Sequence, residues 1–116
     1  MVNLQALLNK LVRSVVIATT SGTVNSNITV SRAQCRLLKF GSVVFVTVGM
    51  GNVTSAVNTN TVLFTVPEGY RPSSQVTIQG YVGSSEANFT VDTYGQIKQT
   101  LTSSVSNLFA SGFYVV

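Results

Sequence analysis

Two runs of alternating apolar residues, separated by the chain's only two prolines, constrain the fold more than any other stretch. In Thr61 to Gly83, TVLFTVPEGYRPSSQVTIQGYVG, Val62, Phe64 and Val66 alternate with Leu63 and Thr65, and Val76, Ile78, Gly80 and Val82 alternate with Thr77, Gln79 and Tyr81. A period of two places successive side chains on opposite sides of an extended backbone, so both runs read as strands. Between them Pro67 fixes its own φ and pushes Val66 towards extended geometry, Gly69 admits a positive φ, and Pro72 removes another backbone donor. A ladder cannot continue through that segment. Pro67 to Pro72 therefore reads as a corner between two core strands.

The flanking sequence extends the β pattern. Ile28 and Val30 begin a strand that Ala33, Cys35 and Leu37 continue, while Leu38 and Phe40 shift the alternation by one and suggest a bulge near Leu37-Leu38. Ser42 to Val48, SVVFVTV, is apolar at nearly every position, the pattern of a strand covered on both faces. In a chain of 116 residues the second cover is most simply another subunit. Gly49 to Asn60 reads as a long loop, either a binding surface or a crossing between sheets. Gly83 to Glu86 closes a hairpin, after which Phe89 and Val91 point inward, and Asp92-Thr93-Tyr94-Gly95 turns the chain into the alternation of Ile97, Gln99 and Leu101. Ser103 to Ser111 reads as a loop with Val105, Leu108 and Phe109 tucked inward, and Phe113 to Val116 as a final strand. About eight short strands with turn signals between them predict an all-β antiparallel β-sandwich, jelly-roll-like in character.

One helix is expected. In Val2 to Arg13, Leu4, Leu7, Leu8 and Leu11 form a single apolar stripe, Asn3 can cap its start, and Lys10 and Arg13 suit its C-terminal end. At about eleven residues such a helix is marginal alone, below the roughly 12 to 15 residues an isolated helix needs in water. It can dock on the sandwich or form a parallel bundle with the same helix of neighbouring subunits. Ser14 to Thr20 reads as a linker or a first strand. The chain thus divides into an oligomerising helix and linker over 1–20 and a β-sandwich head over 21–116, with Leu4, Leu7, Leu8, Leu11, Val44 and Val46 as the expected subunit interface.

Composition supports self-association and weighs against catalysis. Hydrophobic residues make up 45% of the chain and charged residues 9%, against about 25% charged in ordinary soluble domains. Such a surface needs partners, yet no apolar run approaches the 18 residues of a membrane span, so membrane insertion is not expected. Seven basic residues against three acids give +4, but the basic residues form no dense run and no nucleic-acid signature. With no histidine, the commonest general base and metal ligand is missing. The acids, Glu68, Glu86 and Asp92, all sit at turns, and no set of zinc or hard-cation ligands is apparent. No enzyme activity, metal or cofactor is expected. The lone Cys35 cannot form an intramolecular disulfide and reads as a small buried residue. The N-terminal residues lack the order of a secretory signal, with positive charge after the apolar residues, which predicts synthesis in the cytoplasm.

The run LFTVPEGYRPS, followed by a second strand and then by ANFTVDTYGQIK, resembles the C-terminal β-sandwich head domains of phage tail fibre and baseplate receptor-binding proteins. This resemblance covers roughly Thr29 to Val116 and is most specific over Phe64 to Ser73. It implies a virion component of tail or baseplate, a homotrimer, other virion proteins as partners, and adhesion to a host cell-surface saccharide. Sugar recognition uses aromatic faces with amide, carboxylate and guanidinium groups, and Tyr70, Arg71, Tyr81, Asp92 and Tyr94 are the residues of those types on or beside turns. The competing expectation is an architectural part, such as a neck, collar or baseplate connector, with no receptor of its own.

Overall fold

A computed structural model describes residues 3–5, 17–54, 61–100 and 105–116. Nine strands account for most of them: β1 (Ile17–Ser21), β2 (Thr23–Val24), β3 (Arg32–Phe40), β4 (Val43–Val53), β5 (Thr61–Thr65), β6 (Val76–Val82), β7 (Ser85–Val91), β8 (Gln96–Gln99) and β9 (Val105–Val115). Neighbours pair antiparallel in the order β1-β3-β4-β9-β6-β7-β8-β5-β2. The two ends of that order are consecutive in the chain, separated by Gly22 alone.

Gly22 brings the two ends of the sheet together. Its N–H donates to the Cys35 carbonyl at 3.0 Å, and a Cβ here would lie 2.7 Å from Cys35 Sγ. One bent strand therefore pairs with β3 before Gly22 and with β5 after it, and the sheet wraps into a nearly closed barrel around one core. Of the two readings of Ser14 to Thr20, the first strand holds from Ile17 onward. The expected helix lies outside the described residues except at Asn3 to Gln5, where Asn3 Oδ1 accepts a hydrogen bond from the Gln5 N–H at 2.9 Å. No complete helix lies among the described residues.

Inward-facing positions follow the period of two. Val44, Val46, Val48 and Met50 of β4 meet Leu37, Leu108, Ala110 and Tyr114 of its neighbours, and Phe64, Phe89 and Ile97 fill the opposite side. Several boundaries differ from the sequence reading. β3 pairs with β4 in continuous register, so no bulge occurs at Leu37-Leu38; the alternation shifts because Leu38 and Phe40 face outward. The bulge is in β5, between Val62 and Phe64, and it turns both Leu63 and Phe64 into the core. β4 runs through Gly49 and Gly51 to Val53, with Asn52 in the left-handed region that asparagine tolerates, at φ 50°. The expected Gly49 to Asn60 loop thus begins after Val53, and residues 55–60 lie outside the described set. β9 takes in much of the expected Ser103 to Ser111 loop, and it turns Phe109 outward instead of inward. Before β3, Ile28 is buried and Thr29 forms an isolated bridge to Thr54, outside any named strand.

The Pro67 to Pro72 corner closes one end of the barrel. Gly69 takes φ +89° and the Tyr70 N–H donates to the Pro67 carbonyl, a turn that glycine makes accessible. Arg71 Nε then donates to the Val66 carbonyl at 2.9 Å, Lys39 Nζ to the Gly69 carbonyl at 2.8 Å, and the Tyr114 hydroxyl to the Tyr70 carbonyl. Lys39 Nζ also stands 5.7 Å from the centre of the Tyr70 ring. Tyr114→Phe removes one of these ties and is expected to cost about 1 to 2 kcal/mol, read as a lower urea midpoint at unchanged slope.

Candidate functional site

The register of β3, β4, β9 and β6 fixes what the barrel shows on its outward side. Leu38 lies opposite Phe45, and Phe45 opposite Phe113; Phe40 lies opposite Val43, and Val43 opposite Val115. One row further along, Arg36, Thr47, Ser111 and Gln79 form a polar belt. Beyond it, Gln34 lies opposite Gly49, Gly49 opposite Phe109, and Phe109 opposite Tyr81. The face therefore carries an apolar patch near the corner end and an aromatic pair beyond the belt.

Tyr81 and Phe109 stack with ring centres 5.3 Å apart and planes inclined by 28°, an arrangement that aromatic pairs favour. They remain 38% and 50% exposed. Gly49 leaves open space beside Phe109, because no atom lies within 4 Å of where its Cβ would be. The resulting depression, of about 560 Å³, is bordered by Arg32, Gln34 and Asn107. A second depression on the other flank, about 640 Å³, is bordered by Gln79, Glu86, Asn88 and Ser111. Two partly exposed rings with amides and hydroxyls on either side can cover the apolar side of a ring-shaped ligand and hydrogen-bond its periphery.

The five residues expected to bind ligand do not share one surface. Tyr81 is in the aromatic pair. Tyr70 and Arg71 belong to the corner and direct their described hydrogen bonds to their own chain. Asp92 Oδ1 accepts from the N–H groups of Tyr94 and Gln96 at 3.0 and 2.9 Å, and its Oδ2 lies 3.4 Å from Lys98 Nζ. It orders the turn, and Gly95 completes that turn at φ +81°. Tyr94 stands 75% exposed on it. Val91 pairs with Val76 and Glu86 with Tyr81, so this turn and Tyr81 lie at opposite ends of β7, about 17 Å or more apart.

The expected subunit-interface residues also separate. Val44 and Val46 are 0% and 1% exposed and face the chain's own core. On the same strand it is Phe45 that reaches solvent, so the doubly apolar pattern of Ser42 to Val48 has one face inside the barrel and one outside. Leu4 is exposed, and Leu7, Leu8 and Leu11 lie outside the described residues.

Glu86 and Asp92 are six residues apart along and just beyond extended β7, on the order of 20 Å, which is too far for a carboxylate pair to share a substrate. Among the described residues no group of three or more His, Cys, Asp or Glu side chains could hold a metal ion, and no helix is long and apolar enough to cross a membrane. Burial pushes the Cys35 thiol up to about 11, against a smaller opposing effect of the Gly22 backbone. It therefore stays protonated and a poor nucleophile at neutral pH.

The crystal structure of the receptor binding protein (gp15) of Listeria phage PSA is similar to this chain, with a TM-score of 0.64 and 17% identity over 97% of this chain and 75% of that one. At that identity the likeness establishes a shared fold. No protein-family model matches the sequence, and no curated protein matches it. Phe109 and Phe113, the aromatics of this face that the sequence did not single out as exposed, become visible through the β4–β9 register. The available signal was the apolar parity of SVVFVTV, which requires a second cover for Phe45.

Proposed function

We propose that the chain is the head of a phage or prophage receptor-binding protein, carried on the tail or baseplate of a virion, where it adheres to a host cell-surface saccharide without cleaving it. The Tyr81–Phe109 stack carries this reading, because it presents aromatic surface between two depressions lined by amides and hydroxyls. A pyranose packed against an outer face of the stacked pair places its C–H face on that ring and its hydroxyls towards Gln79 and Asn88 in one depression or Gln34 and Asn107 in the other. The fold shared with a phage receptor-binding protein supports the same reading. Assembly as a homotrimer, attached to other tail or baseplate proteins, is part of this reading; the low charge and the outward apolar face support association between copies without setting their number.

The test is adsorption of purified protein to host cells and to a glycan array. Tyr81→Ala is expected to lower binding about tenfold or more, as loss of a central aromatic anchor does, with the melting temperature little changed. Tyr94→Ala, at the far end of β7, is expected to bind as wild type does. Wild-type protein that adheres to no host surface glycan would support the architectural alternative.

A further inference from the structure

We propose that the outward face of β3, β4 and β9 is an interface between copies of this chain, and that the neighbouring copy forms one wall of the Tyr81–Phe109 site; the second half rests on the saccharide-binding reading above. The interface consists of Leu38, Phe40, Phe45, Phe113 and Val115, of which Phe113 is 68% exposed. Phe45 and Phe113 already contact each other, with ring centres 6.0 Å apart. An aromatic side chain covers about 150 to 250 Å² when buried, so the exposed parts of three phenylalanines with Leu38 and Val115 amount to on the order of 500 Å². That is at the upper end of the largest apolar patch on a typical monomer, about 300 to 600 Å². Three such patches closing on one axis, as in the homotrimer proposed above, remove on the order of 1,500 Å² from water in all.

Charge favours a second copy over an unrelated partner. The patch contains no charged side chain, and the two cations at its border are engaged by their own chain. Lys39 donates to the Gly69 carbonyl, and Gln34, with its amide oxygen turned towards Arg36, accepts from Arg36 Nε and Nη2 at 2.7 Å. Both cations keep their charge, yet the patch they flank is itself neutral. An identical neutral patch matches it.

The wall follows from distance. Phe109 and Phe113 are on one face of β9, four residues or about 13 Å apart. A domain of about 100 residues has a radius of gyration near 13 Å, so a copy seated over Phe113 extends to the row of Phe109. The depression beside Gly49 is then a cleft between subunits, and a ligand on the aromatic pair touches both.

Full-length protein would be measured by light scattering at micromolar concentration and by ligand-observed NMR with methyl glycosides of glucose, galactose, N-acetylglucosamine and rhamnose. Phe113→Asp is expected to reduce the mass to that of one chain and to weaken binding of the monovalent glycoside at least tenfold, while a thermal melt shows retained folding. Phe113→Ser serves as the milder variant should the aspartate unfold the chain. Tyr81→Ala is expected to keep the oligomer and lose the glycoside. A monomeric wild type, or a variant mass equal to that of the wild-type oligomer, overturns the interface. A monomeric Phe113 variant with unchanged affinity overturns the shared wall and leaves the receptor reading intact. An oligomer that depends on Phe113 but binds no glycoside overturns the receptor reading, and the wall with it.

Discussion

Gly80→Ala is expected to leave little folded protein. Gly80 sits in β6 opposite Ala110 of β9, and a Cβ at this position would stand 1.8 Å from the Phe109 carbonyl oxygen and 2.6 Å from Ala110 Cα. Both are backbone atoms, so no rotamer change relieves the clash, and β6 would have to leave β9. The ladder from Gln79 to Val82 would go with it, parting Tyr81 from Phe109. A loss above about 4 kcal/mol is expected, exceptional for one substitution and a large share of the 5 to 15 kcal/mol by which domains are typically stable. Soluble yield and the urea midpoint measure it. Gly49→Ala is the control, since nothing lies within 4 Å of its added methyl group. Equal midpoints for the two variants would mean that β6 and β9 do not approach so closely.

Phe64→Ala is expected to cost about 3 to 5 kcal/mol, the range for emptying a phenylalanine site in a packed core. A regular strand would send Leu63 and Phe64 to opposite faces. The bulge after Val62 sends both inward, where Leu63 is fully buried and Phe64 nearly so. Val62, on the same strand but only half-buried, should cost much less when replaced by alanine. A shallow effect at Phe64, below about 1 kcal/mol, would show that one of the two neighbours faces solvent and that the strand is regular.

The local chemistry of proline and glycine made the corner and two turns legible in advance. Pro67, Gly69 and Pro72 leave the backbone few alternatives, and Gly83 and Gly95 both take the positive φ that their turns require. Phe89 and Val91 point inward as their parity requires. Strand extent was less legible, because it is decided by the partner more than by the residues themselves. Val105 to Ser111 carries enough Ser and Asn to read as a loop, yet pairing with β4 holds it extended. Gly49 and Gly51 look like loop residues for the same reason and are held by β3 and β9. Leu37-Leu38 imitates a bulge because a strand with apolar residues on both faces has the same local pattern as one that slips. For the site, parity could mark Tyr81 as outward but could not bring Phe109 beside it. Tyr70 and Arg71 had suitable chemistry, but the corner that displays them in the sequence folds them back onto the barrel end.

Because Gly22 lets one bent strand supply both margins of the sheet, each margin runs into the other through a single residue. Margins joined in this way leave little open edge as a template for the backbone of another molecule. Copies crowded side by side can therefore press together through side chains without recruiting one another into fibres. A bulkier residue at this hinge would remove that protection as well as the closure, and aggregation on concentration should reveal it before any loss of strand content.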